Sequence, residues 1–198
     1  MDKVYTILGS SNHYGERQAE DFYATPRIAI EKMLNKLTEL NINLPSTIIE
    51  PSVGNGAIAN VLLEKGHSII PYDIVDRGFP NTNVVNFLEV KNRPEEEIAI
   101  VANFPFSDIL NHTEHSLSLL NKGEYLISLA KIQFLETKKR EKLFRDNPPK
   151  YVLVFSERIA CRKNDQTADN SAICFCWYIF EKGWKCMPMI DWITGSNK

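Results

Sequence analysis

Cysteine is scarce in this chain and does not pair. The four residues Cys161, Cys174, Cys176 and Cys186 form no C-x-x-C knuckle, so their spacing supports neither a zinc knuckle nor a disulfide framework, and reduced, packed thiols are expected. Cys174 and Cys176 alternate within an aromatic run, which puts them on one face of a strand. Long apolar runs are also missing. No charge-free stretch approaches the roughly 18 residues that span a bilayer, and the polar amino terminus lacks a signal peptide's apolar core. A cytoplasmic protein with no membrane partner is expected. Neither sign of charge dominates: a net charge of -2 and a pI near 6.1 exclude a global basic field, so a polyanion must be met by a local patch. His112 and His115, three apart on an expected helix, read as packing or surface residues, and no metal site is expected.

What remains is 198 residues of which 43% are hydrophobic, enough for one domain with a sizeable core and too few for two. Residues 1–20 are polar, carry Gly9-Ser10-Ser11-Asn12 and read as a flexible arm ahead of a single domain at 21–198. Thr25-Pro26 opens a helix whose stripe is Ile30, Met33, Leu34, Leu37 and Leu40, with Thr25 as N-cap and Pro26 as the first helical residue. Thr47 to Glu50 reads as a short buried strand. It runs into a tight turn at Gly54 and Gly56, where the backbone can approach a ligand, and a helix follows to about Lys65. His67 to Tyr72 is the next strand, and Asp73 at its tip is placed to accept from ribose hydroxyls.

The most informative stretch is Ile98-Ala99-Ile100-Val101-Ala102-Asn103-Phe104-Pro105-Phe106-Ser107. Five apolar residues suit a strand buried on both faces, and Asn103 then stands at its carboxyl end, where open α/β sheets bind ligands. Pro105 forbids a simple helical continuation. An exocyclic amine on a base is a poor nucleophile because its lone pair is delocalised into the ring. Two acceptors gripping its hydrogens, here Asn103 Oδ1 and the Phe104 carbonyl, would draw the nitrogen toward a nucleophilic geometry. Phe106 could stack on such a base, a contact worth roughly 1 to 3 kcal/mol.

Beyond this loop, 108–121 reads as a helix and Glu124 to Ala130 as a buried strand. Lys131 to Glu136 is expected to open a helix carrying Lys138, Lys139, Arg140, Lys142 and Arg145, mostly a solvated face. Lys131 differs because it stands at a strand's carboxyl end. Tyr151 to Phe155 and Ile173 to Phe180 read as two further strands. The long polar connection between them carries Arg158, Arg162 and Lys163, which could meet phosphates.

These residues resemble a known family. Asn103-Phe104-Pro105-Phe106 is similar to the Asn-Pro-Pro-Tyr/Phe motif of the amino methyltransferases that use S-adenosylmethionine on adenine N6. Phe104 departs from it toward the Asn-Leu/Ile-Pro-Tyr form of ribosomal RNA adenine dimethylases. Glu50-Pro51-Ser52-Val53-Gly54-Asn55-Gly56 resembles the Glu-Pro-x-x-Gly-x-Gly cofactor loop, and Tyr23-Ala24-Thr25-Pro26 the element whose aromatic and threonine close over the cofactor's methionine end. Ile74 would lie under the cofactor's adenine, and Asn86-Phe87-Leu88 stands where the family commonly has Asp-Phe-Leu. From about Phe22 to Ile193, including Phe134-Leu135-Glu136 with Arg140, Pro148-Pro149, Phe155-Ser156-Glu157-Arg158 and Glu181-Lys182-Gly183, the chain resembles small phage and prophage adenine-methyltransferase-like proteins.

The resemblance implies a class I methyltransferase (Rossmann-like) α/β fold. Its sheet would have seven mostly parallel strands with the last antiparallel, and helices on both faces. It implies S-adenosyl-L-methionine as cofactor, methyl transfer to adenine N6, and a nucleic-acid partner, DNA ahead of RNA. No residues remain for a target-recognition domain. RNA adenine, a protein glutamine amide, and a non-catalytic cofactor-binding module that interferes with host restriction stay open as alternatives.

Overall fold

The computed structural model describes residues 23–157, 159, 162–163 and 173–194. The expected arm at 1–20, Arg158 and Cys161 lie outside them. The strand predicted from Ile98-Ala99-Ile100-Val101-Ala102 is β5 (Ile98–Ala102), and all five residues are buried. Ile98, Ile100 and Ala102 pack into one core and Ala99 and Val101 into the other. A strand with cores on both faces belongs in the middle of a sheet. Its neighbours are β2 (Thr47–Glu50) and β6 (Tyr125–Lys131), both parallel to it.

Outward from β2 come β3 (Ser68–Asp73) and β4 (Asn83–Val84), and outward from β6 come β9 (Phe175–Glu181), β7 (Tyr151–Phe155) and β10 (Met189–Ile193). The sheet order is β4-β3-β2-β5-β6-β9-β7-β10. Only β9 runs antiparallel, between β6 and β7. Among the described residues the sheet thus has eight strands, not the expected seven, and its antiparallel strand is the penultimate one. The additional strand β10 runs parallel to β7 at the edge. With Ile190 and Trp192 more than half exposed, it has no apolar-in, polar-out alternation by which sequence could reveal it.

The helices α1 (Arg27–Glu39), α2 (Ala57–Glu64), α3 (Ile109–Leu119) and α4 (Lys138–Asp146) flank the sheet. α1 buries Ala29, Ile30, Met33 and Leu37, and the indole Nε1 of fully buried Trp177 on β9 donates to the Ala29 carbonyl at 3.1 Å. The apolar stripe lies where its spacing places it, but the cap differs. Pro26 takes the N-cap position with no side-chain bond, and the Thr25 hydroxyl is used elsewhere. The expected helix after Lys131 is split for a local reason: Ile132–Leu135 forms a 3-10 turn, and Thr137, at φ 87°, interrupts the chain before α4. A short antiparallel ribbon pairs β1 (Tyr23–Ala24) with β8 (Arg162–Lys163).

Buried Glu124 locks the opposite end of β5. Its Oε1 accepts from the Ile98 N–H at 3.0 Å and from Arg93 Nη2 at 2.9 Å, and its Oε2 accepts from the Asn121 N–H and Arg93 Nη1. Burial alone would lift its pKa, but the Arg93 and backbone donors outweigh that and hold the carboxyl below its usual range. Cys176 on β9 is buried, and Cys174, which stands one residue before that strand and not within it, is half-buried against the same core. Burial pushes the Cys176 thiol up to about 12, which makes it a packing group and not a nucleophile. Among the described residues, no helix is long and apolar enough to cross a membrane.

Candidate active site at the carboxyl edge of the sheet

Three adjacent strands deliver three polar residues to one edge: β2 ends at Glu50, β3 at Asp73, and β5 is followed by Asn103. Between them lies a cavity of about 680 Å³. Of the anticipated residues, Tyr23, Thr25, Glu50, Pro51, Asp73 and Ile74 line it. So do Asn86, Phe87, Asn103, Pro105 and Phe106. Gly54 and Gly56 act through the backbone, at φ 57° and 81°. A Cβ on Gly56 would come within 2.2 Å of the Phe79 ring, so any other residue there would have to displace that ring and hold a strained positive φ.

Asp73 is 7% exposed, and its carboxylate accepts from the backbone N–H of Gly54 at 2.8 Å and of Val75 at 3.1 Å. A carboxylate offers about four acceptor sites, so two hydroxyls could still be held there. Glu50 is 1% exposed, and its Oε2 finds no partner among the described residues. Burial, reinforced by the Asp73 charge and opposed by a bond to the Ala59 backbone, drives its pKa well above the usual carboxylate range. Asn86 serves the local backbone, since its Oδ1 accepts from the Leu88 N–H at 3.1 Å and caps a 3-10 turn over Phe87–Glu89. Ile74 is two-thirds exposed at the rim, and Phe87 is buried edge-on to His115.

Both hydrogens of the Asn103 amide are committed. Nδ2 donates to the Tyr23 carbonyl at 2.9 Å and to Thr25 Oγ1 at 3.1 Å. A carbonyl can only accept, so the amide nitrogen must face Tyr23. That leaves Oδ1, which is buried without a partner among the described residues. An unpaired buried acceptor is expensive, and Asn103 is among the residues that line the cavity.

The rest of the loop divides by role. Phe104, alone of the four loop residues anticipated for catalysis, does not line the cavity; its side chain is 1% exposed in the core, 5.3 Å from the His112 ring. Its burial anchors the loop where a proline would have stiffened it. The Phe106 ring has neighbours at Tyr23 (5.6 Å) and Phe175 (5.9 Å), with Lys131 Nζ at 4.8 Å from its centroid. Lys131 therefore reaches the edge of the site without lining the cavity. The β8 backbone pairs Lys163 with Tyr23 and Arg162 with Ala24, which brings both residues to this edge.

The cavity wall also contains Asn55, Arg77, Ser107, Asp108 and His112, which sequence reasoning did not assign to the site. His112 Nδ1 donates to the Asp108 carbonyl at 3.0 Å. The available signal was proximity: Asp108 and His112 follow Phe106 closely in the chain.

No family model and no curated protein sequence matches the chain. Solved structures do match. A Pyrococcus horikoshii protein provisionally described as an RNA methyltransferase aligns at TM-score 0.61 and 14% identity, over 85% of this chain and 92% of its own. The modification subunit of a provisionally described type I restriction enzyme from Vibrio vulnificus aligns at TM-score 0.60 and 13% identity over 90% of this chain, which spans about half (49%) of that subunit. A Listeria monocytogenes protein provisionally described as a class I S-adenosylmethionine-dependent methyltransferase aligns at 0.55 and 11%, over 86% of this chain and 64% of its own. The sheet order, the single antiparallel strand and these alignments agree that the chain has the class I methyltransferase fold.

Proposed function

We propose that this chain is an S-adenosylmethionine-dependent methyltransferase acting on adenine N6 of nucleic acid, with DNA the leading substrate. The observation that carries the reading is Asn103 Oδ1, a buried acceptor freed because both amide hydrogens are tied down. An adenine N6 amine has two hydrogens to donate, and the Phe104 carbonyl on the same loop is proposed as the second acceptor. Both bonds strengthen as positive charge develops on the nitrogen, so they stabilise the transition state more than the ground state.

The residues present fit the cofactor. Glu50 and Asp73 both line the cavity, and Glu50 Oε2 has no partner among the described residues; a cationic ligand there would favour the ionised Glu50 that burial disfavours, and Asp73 keeps acceptor sites for ribose hydroxyls. Asp73 would hold the ribose, Glu50 and the Gly54-Asn55-Gly56 turn the amino-acid end, and Ile74, Asn86 and Phe87 the adenine. The bound cofactor supplies an electrophilic methyl group. Lys131, Arg162 and Lys163 are proposed as phosphate contacts, and Arg158 in the same role lies outside the described residues.

Labelled methyl transfer to separate DNA, RNA and protein pools tests the reading. Label in DNA as N6-methyladenine is expected. Asn103→Ala should lower turnover on the order of 100- to 1000-fold, as when one preorganised transition-state hydrogen bond is lost. RNA labelling would move the substrate to RNA adenine, the reading favoured by the single proline of Asn103-Phe104-Pro105-Phe106. Tight cofactor binding with no label in any pool would overturn the enzyme assignment in favour of a binding module.

A further inference from the structure

The terminal torsion of an asparagine amide is broad and roughly two-fold, so neighbouring groups decide which end is bonded and which is left unpaired. For Asn103 those neighbours come from the segment at 23–25. Tyr23 offers a carbonyl, which can only accept and therefore selects Nδ2. Thr25 offers a hydroxyl that can accept or donate, and with Nδ2 already fixed it takes the second hydrogen at 3.1 Å. A reversed amide would set Oδ1 against the Tyr23 carbonyl, with two acceptors facing each other.

Thr25 is 4% exposed and does not cap α1, whose N-cap position belongs to Pro26. Its hydroxyl therefore bonds to Asn103 instead of the helix it precedes. The same short strand pairs with β8, Tyr23 opposite Lys163, so the Tyr23 carbonyl belongs to a segment held on one side by a ribbon and on the other by the amide.

We infer that Thr25 is a positioning residue for Asn103. It pins the amide so that Oδ1 stays free for the substrate amine, an inference that rests on Asn103 being the amine acceptor. A Thr25 that served the cofactor alone would behave differently on removal of its hydroxyl, and that difference can be measured.

Thr25→Val keeps the shape and removes the acceptor, while Thr25→Ser keeps the hydroxyl. In nitrogen-15-labelled protein, the Asn103 Nδ2 hydrogens are assigned by their disappearance in Asn103→Ala. Both should exchange slowly with solvent in the wild type. One should exchange about 10-fold faster or more in Thr25→Val, and serine should restore protection, since a hydrogen-bonded amide must open before it exchanges. On DNA, kcat of Thr25→Val should fall about 10- to 100-fold, the range expected when a catalytic group is misplaced, with cofactor Kd within about threefold of wild type. Unchanged amide exchange, or weakened cofactor binding with kcat at saturation intact, overturns the inference. If valine prevents folding, Thr25→Ala against Thr25→Ser provides the same contrast. If the wild type methylates no adenine substrate, the proposed function falls, while the amide exchange still decides whether Thr25 holds Asn103.

Discussion

The backbone N–H of Gly54 donates to Asp73 Oδ2 at 2.8 Å, which ties the turn after β2 to the tip of β3. One carboxylate thus shapes the glycine loop and faces the cavity that the loop borders. The other oxygen accepts from Val75 N–H, so an amide would set its NH2 against a backbone donor. Asp73→Ala and Asp73→Asn should each weaken cofactor binding about 10- to 100-fold, the equivalent of one or two charge-assisted hydrogen bonds. Calorimetry giving wild-type affinity for both variants would remove Asp73 from the site.

Phe104 invites replacement by proline to restore the commoner motif, but its burial argues against the exchange. Removing a fully buried phenylalanine ring costs about 3 to 5 kcal/mol, and proline leaves much of the space beside His112 empty. Phe104→Pro should therefore lower the melting temperature markedly, while Phe104→Leu, which keeps most of the volume, should be far milder. A proline variant as stable as wild type would show that loop stiffness matters more than ring burial.

The pH dependence of stability should carry a signature of Glu50. Its pKa is raised in the folded protein, chiefly by burial, so the native state holds the proton more tightly than the unfolded chain. The stability linked to this proton is complete below the ordinary value of 4.5 and is lost as pH rises through the folded value. Glu50→Gln, which has no proton to lose, should melt several degrees above wild type at pH 8 and close to it near pH 4.5, while binding the cofactor more weakly. Equal melting temperatures at both pH values would mean that Glu50 does not titrate in the way its burial requires.

Lys131 lies over the Phe106 ring at the site's edge. If it also meets a phosphate, Lys131→Met should lower the slope of log affinity against log salt by about 0.7 to 0.9. The combined charge reversal Arg162→Glu with Lys163→Glu should lower it further. Binding isotherms with an unchanged slope in both variants would remove these residues from the nucleic-acid contact.

The sequence by itself determined the strands that carry their own pattern. Ile98 to Ala102 is apolar at every position because cores lie on both faces, and Thr47 to Glu50 with its glycines marks a strand and turn through backbone constraints that need no partner. The strand-end positions of Asp73 and Asn103 were legible because they follow from the order of elements, which the chain states directly. Tertiary structure decided what depends on residues far apart. The edge strand at Met189–Ile193 shows no alternation because apolar Ile190 and Trp192 stay exposed, and its place comes from pairing with β7. The orientation of the Asn103 amide is set from 80 positions away by Tyr23, and Thr25, which locally reads as a helix cap, gives its hydroxyl to that amide instead. A cap is a local arrangement between a side chain and the next turn of its own helix. The packed sheet brought Asn103 within reach of the same hydroxyl and settled the competition.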